Sequence, residues 1–271
     1  RHASSSTGSW PRRCVKEPAV TLVHPRPKFR PAPLTEPPPS GYLHLAATVR
    51  PPTGGLGRPG HGRDKALLLD MLRAEAEDLA SLAEVKRASV FRAAAVAPAI
   101  GWDPPGRPHR APYDVVVLVE TRSPRDIPAV RDTAAYRTLR RRLEQHGSDL
   151  HELTARCGKC VADVDRTHQG LFLFHYFLGE DPRRVAELWE HLTGWYAVET
   201  GLDNALLLEP LDAAASRYTH IGHARWDMGL PAAALRQFGK PSFYRFLRPT
   251  LRENHMTAMP VLYHLVRLWD R

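Results

Sequence analysis

From Gly41 onward the chain switches repeatedly between a two-residue and a three-to-four-residue hydrophobic period. "GYLHLAATV" (41–49) alternates as a strand does, and "DKALLLDMLRAEAEDLASLAE" (64–84) sets Leu68, Met71, Leu72, Leu79, Leu82 and Ala83 at helical spacing. "RASVFRAAAVA" (87–97) reads as a strand, although its alanines leave helix open, and "YDVVVLVET" (113–121) is the clearest strand. "IPAVRDTAAYRTLRRRLEQHG" (127–147) is an amphipathic helix stopped by glycine, and 149–164 continues as extended chain. The pattern then restarts. "GLFLFHYFL" (170–178) is a strand, and the helix 181–201 opens with Asp181 as N-cap and Pro182 at its first position. Its apolar stripe is Val185, Leu188, Trp189, Leu192 and Trp195, which predicts a core role for the tryptophans rather than a ligand box. "NALLLEPL" (204–211) and "RYTHIGHARW" (217–226) are two more strands. A helical tail follows, and 259–266 closes the unit as a strand or a last helical turn.

This order, β-α-β-β-α-β followed by a second such unit, is that of the split βαβ motif. It predicts an α+β protein of two tandem ferredoxin-like units, residues 41–165 and 166–271, behind a Pro-rich basic arm, residues 1–40. By element order across about residues 41–266 the chain resembles the dimeric α/β-barrel superfamily. That group includes antibiotic-biosynthesis monooxygenases, EthD-like proteins, certain polyketide cyclases and haem proteins of the chlorite-dismutase and dye-decolourising-peroxidase kind. Members usually pair two sheets face to face. Here one chain has enough strands for both, and a homodimer stays open. The resemblance implies a small-molecule enzyme of oxygenase, cyclase or isomerase type in secondary metabolism, acting on an apolar or aromatic molecule without a cofactor. Haem held by His175 or His223 is the alternative, and a non-enzymatic ligand-binding or scaffolding protein is another.

Composition changes this picture little. Residues 1–63 hold ten Lys or Arg against Glu17 and Glu36, nearly the whole formal net charge of +9, together with 12 of the 25 prolines. Basic charge confined to a Pro-rich arm argues against nucleic-acid recognition, which needs charge on a folded face. "RPPTGGLGRPGHGR" (50–63) is a second Gly/Pro-rich loop. The chain begins at Arg1 rather than Met, as a piece of a longer product would. No apolar run is long enough for a membrane span and no apolar leader is evident. Cys14, Cys157 and Cys160 are too few for a disulfide scaffold, so a reduced, cytoplasmic setting is expected. "CGKC" (157–160) lacks the following helix of a thioredoxin site and the second ligand pair of structural zinc. Walker A, G-x-G-x-x-G, H-E-x-x-H and G-x-S-x-G sequences are all absent.

Candidate chemistry follows from splitting each strand into its two faces. Leu43, Leu45 and Ala47 make a plain apolar face opposite Tyr42 and His44, and Val115, Val117 and Val119 read as helix-facing, opposite Glu120. His220 and His223 are three apart, so on a regular strand they point oppositely and cannot ligate one metal. The small residues Gly222 and Ala224 suit a helix-covered face shared with His220 and Trp226, leaving His223 and Arg225 for an open cavity on the other side. His175 and Glu120 are expected as their neighbours. In that site His223 or His175 is the acid/base and Arg225 stabilises developing negative charge. Glu120, raised by desolvation in an apolar strand, assists. The competing expectations are an ordinary buried histidine at 175 and a rim ion pair in "HARWD" ending at Asp227.

Overall fold

The computed structural model describes residues 20–50, 53, 60, 62–106 and 108–266; Cys14 and most of the 50–63 loop lie outside them. The first half contains β1 (Gly41–Thr48), α1 (Arg63–Ala80), β2 (Val85–Val96), the two-residue β3 (Ile100–Gly101) and β4 (Val115–Thr121). It continues through α2 (Ile127–Arg131), α3 (Ala134–His146) and β5 (Ser148–Ala162). The second half contains β6 (Leu171–Leu178), α4 (Pro182–Thr200), β7 (Ala205–Pro210), β8 (His220–Trp226), α5 (Leu230–Phe238), α6 (Arg248–Glu253) and β9 (Thr257–Leu265). The strands run in the order β2-β4-β1-β5-β7-β8-β6-β9, and β9 pairs back onto β2. Eight antiparallel strands thus form a closed barrel within one chain, with β3 appended beside β9. Closure leaves the long strands without free edges.

Local chemistry sets the elements. Asp181 caps α4 through the Arg183 amide, Pro182 follows, and Gly201 ends the helix in the left-handed conformation (φ 78°). The single helix expected over 127–147 is instead two. The break falls at Asp132–Thr133, where the Thr133 hydroxyl accepts from the Tyr136 amide and starts α3. Residues 259–266 belong to a strand, with Phe172 opposite Tyr263 in the β6–β9 register.

Strand alternation divides the apolar residues into three clusters. Leu43, Leu45, Ala47, Val115, Val117 and Val119 pack outward against α1 and α3 through Leu68, Leu72, Leu79, Leu139 and Leu143. Leu173, Phe177, Leu207 and Ala224 pack outward in the second half, against α4 residues that include Trp189 and Trp195. A Cβ on Gly222 would sit 3.3 Å from the Trp189 indole nitrogen, so the missing side chain lets α4 approach. The inward-facing residues, among them Tyr42, Phe91, Tyr113, Phe172, Phe174, Tyr176, Tyr218 and Tyr263, fill the barrel. Bulges in β5 turn both Cys157 and Cys160 inward, where they are free and buried. Burial pushes the Cys157 thiol up to about 12, which removes the thiolate that redox exchange requires.

The described part of the arm lies across the second half. Val20 and Leu22 pack with its apolar cluster, and Asn254 on the loop after α6 bonds both the amide and the carbonyl of Thr21. Phe29 stacks on Phe246 at 5.1 Å, the Ala32 amide donates to Glu190 O on α4, and Thr35 bridges to Cys160 on β5. The chain then enters β1 in the first half.

Candidate functional site

The structure does not assemble the expected site. A barrel-lining cavity was predicted on the face without helices, but that face closes on itself and its aromatic side chains occupy the interior. His223 does point inward, on a regular strand. Its ring stacks on Phe174 at 4.3 Å and meets Phe91 edge-on at 5.8 Å. Nδ1 lies 3.1 Å from Leu173 O, so it carries the proton and donates, leaving Nε2 buried and without a partner. Burial, with the nearby Arg166 charge, lowers its pKa to about 3.

His175 is on the opposite surface of the sheet. It shares the outward side of β6 with Leu173 and Phe177, contacting the Phe177 ring at 4.5 Å, and burial lowers it to about 3. The sheet separates the two imidazoles because residues 175 and 223 fall on alternate faces of the paired strands β6 and β8. Arg225 is not free to bind an anion. One guanidinium nitrogen donates to Gln169 O and pairs with Asp227 at the barrel mouth, and the group lies over the Phe172 ring. This is the rim ion pair that "HARWD" also allowed. Glu120 faces inward as expected, but burial does not raise it. Desolvation is outweighed by Arg166, Arg87 and the Ser40 hydroxyl, which hold the carboxyl below its ordinary value. Glu120 is therefore a committed carboxylate rather than a poised base.

The concave apolar site lies elsewhere, on the outer surface of the second half under α5. A cavity of about 220 Å³ is lined by Ala94, Ala95 and Ala97 at the end of β2, Leu173, Pro260 and Leu262 on the sheet, and Thr200 and Trp226. Leu230, Ala233, Ala234, Gln237 and Phe238 of α5 roof it. Its origin is legible locally: "AAAVA" on β2 faces "PAAAL" on α5, and small side chains on both walls leave the space. A relay fixes the Trp226 wall, since its indole N–H donates to Thr200 Oγ1 (3.0 Å), whose own hydroxyl donates to Tyr196 O (2.6 Å). His175 is not one of the lining residues but lies next to two of them, Leu173 and Pro260. It is the next outward residue after Leu173 and stands opposite Pro260 in the β6–β9 register, and its Nε2 is buried and unpartnered. The roof is loosely seated: no residue of α5 is fully buried, and Gly229 and Gly239 flank the helix. Sequence reasoning did not find Trp226, Thr200 or the α5 residues as site groups; the facing alanine runs were the available signal.

Haem does not have the space here, and His175 is not among the lining residues. About 220 Å³ lies below the roughly 300–1,000 Å³ of drug-sized and cofactor sites, and rings pack around His223. Among the described residues no group of three or more His, Cys, Asp or Glu could hold a metal ion.

No family model matches the sequence, and a search of curated proteins returns no match. Solved structures do match in fold. An anthrone oxidase-like protein is 11% identical with a TM-score of 0.51, over 84% of this chain and 91% of its own. A putative monooxygenase from Fusobacterium nucleatum is 7% identical with a TM-score of 0.50, over 86% and 94%. A dye-decolorizing protein from V. cholerae is 10% identical with a TM-score of 0.47, over 85% and 94%. At these identities the likeness to the first two establishes the ferredoxin-like α/β-barrel fold and nothing finer.

Proposed function

We propose that the chain is a small-molecule enzyme of oxygenase, cyclase or isomerase type, working without a bound cofactor on an apolar or aromatic substrate held beneath α5. The observation that carries this reading is the apolar chamber of about 220 Å³, with the unpartnered buried imidazole of His175 one outward strand position beyond its Leu173 wall. An apolar cavity of about 150 Å³ already binds benzene, so this one suits a one- or two-ring compound. The names of the two fold neighbours, an anthrone oxidase-like protein and a putative monooxygenase, agree with a carbon acid or phenol as substrate.

In this mechanism Trp226, Phe238 and Leu262 grip the ring system and α5 excludes water. His175 is neutral because burial disfavours its charged form, and in the tautomer with Nε2 unprotonated it would accept a phenolic or enolic proton. Proton transfer creates an imidazolium next to the substrate anion, and each charge offsets the cost of burying the other. The anion then either adds dioxygen at carbon, taking the imidazolium proton back as a hydroperoxide that loses water to leave a carbonyl, or is reprotonated by the imidazolium at another carbon.

The test uses 2-naphthol and indole as probes. Saturable quenching of tryptophan emission is expected, lost in Ala234→Trp, which fills the chamber. His175→Gln should keep probe binding while abolishing spectral evidence of probe deprotonation. Binding undiminished by Ala234→Trp would overturn the site. A Soret band in the purified protein would replace the cofactor-free reading with the haem one.

A further inference from the structure

The sheet surface that floors the apolar chamber continues past it and changes character. On β9 the outward residues Pro260 and Leu262 line the chamber, and the next outward residue is His264. On β2 the lining residue Ala95 stands opposite Leu262. Across the bulge between Ala93 and Ala95, the next outward residue is Arg92, directly opposite His264. One strand step, about 7 Å, thus carries the floor from alanine, leucine and proline to an arginine beside a histidine.

Arg92 and His264 line one groove of about 490 Å³, together with Gln169, Gly170, Asp227 and Gly229. Gly229 immediately precedes Leu230, the first residue of the α5 roof, so groove and chamber adjoin. The other polar groups of the groove are engaged. Asp227 pairs with Arg225, the Gln169 amide donates to Leu265 O, and His264 Nδ1 lies 3.3 Å from Gly170 O. Half-buried Arg92 has no hydrogen bond or ion pair to its guanidinium among the described residues. At the other end of the chamber floor, Pro260 faces His175 in the β6–β9 register. From Pro260 to His264 the strand rises about 13 Å.

We propose that the substrate under α5 is an aromatic acid whose ring system fills the chamber while Arg92 holds its carboxylate in the groove. This inference rests on the reading of the chamber as the substrate site. Asp227 is already offset by Arg225, so one carboxylate supplies the counter-charge that Arg92 lacks. A spacer of roughly one or two carbons between ring and carboxylate covers the step from Leu262 to His264. Anchoring the acid at Arg92 also sets the direction of binding, since the far end of the ring system, with its phenolic or enolic hydrogen, is then the end nearest His175.

The test compares 2-naphthylacetate with its uncharged analogue 2-naphthylacetamide, and both with 2-naphthol, by quenching of tryptophan emission in the full chain at constant ionic strength. The acetate is expected to bind about tenfold more tightly than the amide. Arg92→Gln should erase that preference and leave 2-naphthol unchanged, whereas Arg92→Lys, which keeps the charge, should retain part of it. Ala234→Trp should weaken all three probes. Should 2-naphthol bind while the acetate gains nothing over the amide, the carboxylate assignment falls and the chamber stands. A preference that survives Arg92→Gln overturns it as well, because another cation then holds the charge. Acetate binding undiminished by Ala234→Trp does the same, by placing the anion without its ring in the chamber. Failure of all three probes removes the chamber reading and this inference together.

Discussion

Glu120 shows how a residue's neighbours reverse the chemistry its own strand suggests. Surrounded by valines in sequence, it promised a raised carboxyl, yet Arg166 and Arg87 arrive from distant positions and hold it ionised. Nothing in the local pattern announces a contact with residue 166, which is why the sequence misled. Removing the charge with Glu120→Gln strands a buried guanidinium and should cost about 3–5 kcal/mol, read from urea unfolding at neutral pH. The histidines give the opposite pH signature to a salt-bridged imidazole. His175 and His223 titrate near 3 when folded and near 6.5 when unfolded, so the unfolded chain takes up protons first. Stability should fall as pH drops from about 6.5 toward 3, by up to about 1.4 kcal/mol per unit for each ring. His223→Phe should flatten that slope by one proton, measurable as a smaller loss of stability between pH 7 and pH 4.

Elements were far more legible than sites. Alternation in β1, β4 and β8 assigned inward and outward faces correctly, because both faces of a barrel wall are buried but one meets helices and the other meets side chains from across the barrel. The placement of His175 failed for a different reason: its outward companions, Leu173 and Phe177, and its inward ones, Phe172 and Phe174, are equally apolar, so pattern alone could not choose. Within the Pro-rich arm Phe29 is 4% exposed and anchors it to the second half. Phe29→Ala should cost about 3 kcal/mol and raise protease sensitivity around residues 20–35. Helix α5, with no fully buried residue, should exchange its amide hydrogens well before α4, and 2-naphthol should slow that exchange if the chamber is its site.

At the scale of the molecule, the order of elements was sufficient to predict two ferredoxin-like units, while ring closure depended on strand pairs between the halves, one of them separated by most of the chain. β5 joins β7, and β2 joins β9, so each half completes the other's sheet. Tryptophan emission, which reports chiefly on the second half, and far-UV circular dichroism should therefore lose native signal at the same urea concentration. Two separated transitions would mean that the seams are weak.

The uneven roofing of the two halves has an evolutionary corollary. When a ring is assembled from two identical polypeptides, any mutation that carves space beneath one roof carves it beneath both, doubling the loss of packing. Here alanines at the end of β2 leave the space under α5, whereas leucines of α1 pack closely on the sheet they cover. Joining the halves covalently lets one remain a rigid foundation while the other is free to explore new ligands.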